Sequence, residues 1–208
     1  TIFERVLPGA DRMYPDTDSA PIPLEDHTID EIRKGLPPDV ADRINQLNQW
    51  GVPQDAYTYL LKNNLVPMIE KAVSELGIPA RFTATLFAHH LKHIQGQYPA
   101  QPAFSYAKVF DLLKYLSERK LDVLLAKRIL PHLYQHPNMD FESLLVTVNF
   151  KAVPEAEILA KVPFLVKKFI ETRRKEDMEA GRRWIMGNLN RIATGNIPMA
   201  TLNQAINL

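Results

Sequence analysis

His89, His90 and His93 lie in the run Ala88-His-His-Leu-Lys-His93, and the four-residue step from His89 to His93 puts both on one helix face, as with paired zinc ligands on a helix. The set is incomplete. His90 occupies the place of a general-base glutamate, and no third acidic or histidine ligand follows in a recognisable motif. A half-buried polar stripe is therefore expected, with a metal-dependent hydrolase as the alternative. Asp16 and Asp18 invite a cation reading, but without the rest of a cage they are expected to be turn formers. Neither G-x-G-x-x-G, G-x-x-x-x-G-K-S/T nor G-x-S-x-G occurs, and no histidine-paired nucleophile can be assembled. No catalytic residue, metal ligand or cofactor site is assigned within these residues.

Charge carries more information. The net charge of 208 residues is only +1, yet residues 1–60 hold five Lys or Arg against eleven Asp or Glu, and residues 161–208 hold nine against four. The basic end is what an anionic partner would require, or else a solvated face. With 46% apolar residues the chain can bury a real core. It has no apolar stretch long enough to span a membrane, no charged-then-apolar leader and no cysteine, which fits a cytoplasmic protein.

Every periodic stretch repeats at 3.6 residues and none alternates with period two, so an all-α fold is expected. Thr28-Ile-Asp-Glu31 has capping-box spacing, with Gly35 and Pro37 as a stop. Val40, Ile44 and Leu47 share a stripe ending at Trp50-Gly51, and helices are expected over 54–62, from Pro67 to Leu76 and from Ala80 to Ile94. The glutamine- and proline-rich run 95–103 is expected to join two small bundle modules. Beyond it Ser105, Asp122 and Asp140 are expected N-caps. Pro131 should end or kink a helix near Leu130, Pro163 should break another, and a helix over 180–194 should close at Gly195.

The remaining stretch, Leu7 to Leu24, packs four prolines and three aspartates into eighteen residues and is expected to be an extended arm. Its run Pro8-Gly-Ala-Asp-Arg-Met-Tyr-Pro-Asp-Thr-Asp-Ser-Ala-Pro-Ile22 resembles the segment by which the tRNA-binding subunit of the tRNA-dependent amidotransferases, the E type more closely than the B type, leaves its catalytic cradle. Ile29-Asp-Glu-Ile-Arg-Lys-Gly-Leu-Pro37 resembles the start of that family's helical domain. Trp184-Ile-Met-Gly-Asn-Leu-Asn-Arg-Ile-Ala-Thr-Gly-Asn-Ile197 is similar to the end of its YqeY-like tail. Gly187, Arg191 and Gly195 match that closing pattern. Asn190 and Asn196 depart from it, standing where an apolar and a usually basic residue are found, which puts a nucleic-acid contact at Asn196 in doubt.

The resemblance implies three parts: an arm over 1–27, a helical bundle over 28–98 and a tail over 104–208. It implies that Arg12, Met13 and Tyr14 contact a cradle lying N-terminal to this chain, where ATP and Mg would serve Glu-tRNA activation and amide transfer. A glutaminase- or asparaginase-like partner subunit would release ammonia. The tail would lean on tRNA. Lys167, Lys168, Arg173, Arg174, Lys175, Arg182, Arg183 and Arg191 are the cations expected to neutralise phosphates, with little sequence readout because duplex RNA is recognised mainly by shape and backbone. These residues would form a non-catalytic docking region of a larger carbon-nitrogen ligase. A free-standing helical protein-interaction module is the alternative.

Overall fold

The computed structural model describes residues 23–172 and 177–206. Arg12, Met13 and Tyr14, with the rest of the expected arm, lie outside the described residues, as do Arg173, Arg174 and Lys175. The described residues are helical and contain no strand. The chain divides into two units after Asp39.

The first unit contains α1 (Asp26–Gly35), an amphipathic helix that buries no side chain. It starts two residues before Thr28, with Glu25 at the N-cap and no side-chain cap, so the expected capping box is not formed. Asp26 already supplies negative charge to the first turn, where the helix dipole favours it. The sequence places this helix at the head of the 28–98 bundle; the structural division leaves it on the arm's side of Asp39.

The second unit begins with α2 (Val40–Gln49) and α3 (Tyr57–Lys62), the latter led by a single 3-10 turn. α4 (Val66–Leu76) ends on Gly77, whose φ of 65° suits glycine. α5 (Ala80–Thr85) continues through a π-helical turn (Leu86–Leu91) into α6 (Lys92–Gln97). The Thr85 hydroxyl donates to the Arg81 and Phe82 carbonyls, 3.0 Å each, just before the ladder widens.

α7 (Tyr106–Glu118) packs on α4, and α8 (Ala126–Gln135) packs on α7. Asp122 accepts from the Leu124 amide at 2.9 Å, and Asp140 accepts from Ser143 at 2.9 Å to open α9 (Phe141–Thr147), as expected of both. Ser105 occupies an N-cap position without making the bond. α8 does not end at Leu130: it runs through Pro131 to Gln135. Ile129, Leu130, Leu133 and Tyr134 are all buried there. At about 1.5 to 3 kcal/mol per buried large apolar side chain, that burial outweighs the roughly 3 kcal/mol cost of an interior proline.

The remaining helices are α10 (Glu155–Leu159), α11 (Val162–Thr172), α12 (Met178–Ala193) and α13 (Met199–Ala205). The chain breaks before Pro163, which sits in the first turn of α11, where a missing amide N–H costs little.

Two apolar clusters organise the second unit. The first runs from Leu47 to Val148, and the second contains Ile158, Val162, Ile185, Leu189, Ala193, Ile197, Leu202 and Ile206. The expected module boundary at 95–103 lies inside the first cluster. Tyr59 on α3 donates to Gln95, the first residue of that run, at 2.7 Å and meets the Tyr106 hydroxyl at 3.3 Å after it, while Tyr98 and Phe104 pack on the core. Two aromatic anchors therefore hold a stretch whose glutamines and prolines read as a spacer. The packing parts instead between Val148 and Ile158.

Candidate nucleic-acid interface

α12 owes its amphipathic character to a four-residue repeat. Gly181, Ile185 and Leu189 are buried, facing α10, α11 and α13. Arg183, Gly187 and Arg191, two places further along at each step, are exposed on the opposite side. Asp177 opens the helix by accepting from the Ala180 amide at 3.0 Å, a cap that places its carboxylate at the positive end of the helix dipole. Arg182 is half-buried and turns about 100° away from Arg183.

α11 packs on α12, with the rings of Phe169 and Trp184 5.9 Å apart at the contact. Lys167 and Lys168 are exposed on α11. Lys167 pairs with Glu171 at 3.9 Å. Lys168, Arg182, Arg183 and Arg191 form no ion pair with another described residue, so their charges remain available to an outside anion. The structure thus gathers Lys167, Lys168, Arg182, Arg183 and Arg191 on one pair of packed helices and aligns Arg183 with Arg191.

Gly187 has open space around its Cα, with nothing within 4 Å of where a Cβ would stand. Such a residue in a helix interior costs about 1 kcal/mol relative to alanine. Its presence exposes helix backbone midway between two arginines.

Asn196 and Asn190 take structural roles. The Asn196 amide nitrogen donates to the Lys151 carbonyl at 2.9 Å and the Ile192 carbonyl at 2.8 Å, and its oxygen accepts from the Val153 amide at 3.0 Å. Both Nδ2 hydrogens are engaged. The Asn190 carbonyl and side chain both accept from the Thr194 hydroxyl, at 2.8 and 3.2 Å.

Arg128 escaped the sequence reading. It donates to the carbonyls of Val148, at 2.7 Å, and Arg191, at 3.3 Å, across 63 positions of sequence that no local pattern bridges.

At the histidine run, His89 pairs with Asp55 at 3.2 Å and lines a surface depression with Lys92, His93, Gly96 and Gln97. His90 is half-buried, and burial, then Lys127, His89 and His93, hold its pKa below the usual 6.5. Among the described residues no group of three or more His, Asp or Glu side chains is placed to hold a metal ion.

Comparison with known proteins adds the functional context. The E-type subunit of glutamyl-tRNA(Gln) amidotransferase from Pyrococcus furiosus is 22% identical over 181 residues, covering 86% of this chain and 28% of that protein. Its counterpart in Methanococcus maripaludis is 22% identical over 213 residues, covering 99% of this chain and 33% of its own length. The B-type subunit of aspartyl/glutamyl-tRNA(Asn/Gln) amidotransferase from Thermotoga maritima is 24% identical over 184 residues, 85% of this chain and 37% of that protein. The chain is similar to amidotransferase subunits. It spans about a third of the length of these curated relatives. No family profile matches it, and no solved structure does. Among the described residues, no helix is long and apolar enough to cross a membrane.

Proposed function

We propose that this chain is the tRNA-docking region of a Glu-tRNA(Gln) amidotransferase subunit, closer to the E type than to the B type, with residues 104–208 forming a YqeY-like tail. It positions mischarged Glu-tRNA for a transamidation whose ATP- and Mg-dependent chemistry, and whose ammonia-releasing partner subunit, lie outside these residues. The observation that carries the reading is the exposed Arg183–Gly187–Arg191 face of α12, whose arginines form no ion pair with another described residue, in a chain similar along most of its length to subunits of that enzyme.

Cations on the outer face of a rigid helix meet phosphates without reading bases, and an exposed glycine lets a ribose-phosphate backbone approach closely. Lys167, Lys168 and Arg182 add charge from the same two helices, and Arg173, Arg174 and Lys175 extend the set in sequence. The test is tRNA binding as a function of salt. Affinity should fall with a log-log slope of roughly −0.7 to −0.9 per phosphate contact. Arg182→Ala, Arg183→Ala and Arg191→Ala together should weaken binding and flatten that slope, while Arg33→Ala with Lys34→Ala should leave both unchanged. Equal binding by the triple variant at every salt concentration would remove α12 as the docking surface.

One observation favours the second reading, a protein-interaction module. A mostly apolar groove of about 530 Å³ is lined by Leu159, Val162, Pro163, Val166, Ile170 and Ala205 together with the Lys167–Glu171 pair. A chain that binds no tRNA would make this groove the leading candidate site.

A further inference from the structure

Three stretches of the second unit meet at the end of α12: the start of α8 with the turn before it (122–128), the connector after α9 (148–153), and residues 191–196. The two apolar clusters part in that connector. Apolar contacts alone are non-directional and would hold the clusters together without defining their angle. Here the contacts are directional. Arg128 joins the Val148 and Arg191 carbonyls, the Asp122 amide donates to the Gly195 carbonyl at 2.9 Å, and Asn196 ties Lys151 and Val153 to Ile192.

Gly195 closes the joint sterically. It holds φ at +92°, and a Cβ there would stand 2.8 Å from side-chain atoms of both Leu125 and Phe150, so only glycine lets the backbone approach this closely. The three elements are thereby locked by bonds whose partners are 20 to 73 residues apart in sequence.

We propose that Gly195 and Asn196, with Arg128, form a fixed joint that sets the direction of α12 against α8 and α9, and that Asn196 and Arg128 are positioning residues for docking. The second clause rests on the tRNA reading; the first does not. Asn196 itself makes no phosphate contact through its amide, because both of its N–H groups are already donated inside the joint. Its bonds to Lys151, Val153 and Ile192 serve instead to hold the neighbouring arginine face in place.

The full chain has no cysteine, so Ser74→Cys on α4 and Asn188→Cys on α12, both exposed, can carry two spin labels without background. Dipolar electron resonance should give one narrow distance distribution in the parent. Asn196→Ala and Arg128→Lys should each broaden it while helical dichroism is retained. A broad distribution in the unsubstituted joint overturns the proposal without any variant having to fold; so does an Asn196→Ala distribution as narrow as the parent's.

In tRNA titrations Asn196→Ala should lose about three- to tenfold in affinity, about 1 kcal/mol, at every salt concentration. Its salt slope should be unchanged, because no cation is removed. Full affinity in that variant overturns the positioning role. A flattened slope overturns it in favour of a direct electrostatic one. Absence of tRNA binding by the parent overturns the docking reading and the positioning role with it, leaving the joint to be decided by the distances.

Discussion

At the scale of single residues, two glycines of α12 and its end act in opposite ways. Gly187 has room for a methyl group, so Gly187→Ala should raise stability in urea unfolding by about 0.5 to 1 kcal/mol, the helix-interior difference between the two residues. Gly195→Ala should lower it by about 2 to 5 kcal/mol, from left-handed backbone strain plus the overlap with Leu125 and Phe150. His90 supplies a pH test. Its folded-state pKa lies below the ordinary 6.5, chiefly through burial and then through Lys127, His89 and His93. The unfolded chain therefore takes up this proton more readily than the folded one. The stabilisation is present above about pH 6.5 and is lost as pH falls below it. Melting temperature should decline over that range, and His90→Gln should reduce the decline.

Helices here begin and end for reasons that differ in how local they are. Asp122, Asp140 and Asp177 cap through bonds to amides two or three residues on, which a sequence pattern can express. Asp177→Ala should cost about 1 kcal/mol and fray the start of α12, seen as faster amide exchange over its first turn than over Leu189 to Ala193. Pro131 behaves differently, because what keeps α8 helical beyond it is burial of residues on both sides. Pro131→Ala should return an amide N–H to the helical ladder. The gain should be about 1 to 2 kcal/mol in urea unfolding, the roughly 3 kcal/mol proline cost less the restriction that proline imposes on the unfolded chain.

On the scale of the second unit, the first apolar cluster crosses residues 95–103 and includes Leu60, Phe87, Leu113 and Leu130 from four different helical segments. Native proteolysis should spare that run, and cleavage there to give two separately folded pieces would show that the cluster does not act as one core. Phe87 is fully buried beside Tyr106, with ring centroids 6.1 Å apart. Phe87→Ala should destabilise by about 3 to 5 kcal/mol and expose amides on both sides of 95–103 together. The same substitution should leave the salt slope of tRNA binding intact in whatever fraction remains folded, because it removes no charge.

The sequence alone determined the all-α class, most helix spans and the concentration of positive charge after residue 160. Each rests on periods, caps and counts that act within a few residues. It also singled out Asn196 as an oddity, without showing why. Only the tertiary structure decided that Asn196 holds the joint and that Arg128 reaches Arg191. It also revealed that Tyr59 closes over 95–103, and that among the described residues Arg183 and Arg191 meet no carboxylate while Lys167 does. Those facts depend on groups brought together from tens of residues apart. A linear pattern carries no trace of such a meeting, because the bonds go largely to backbone carbonyls and amides, which every residue type supplies.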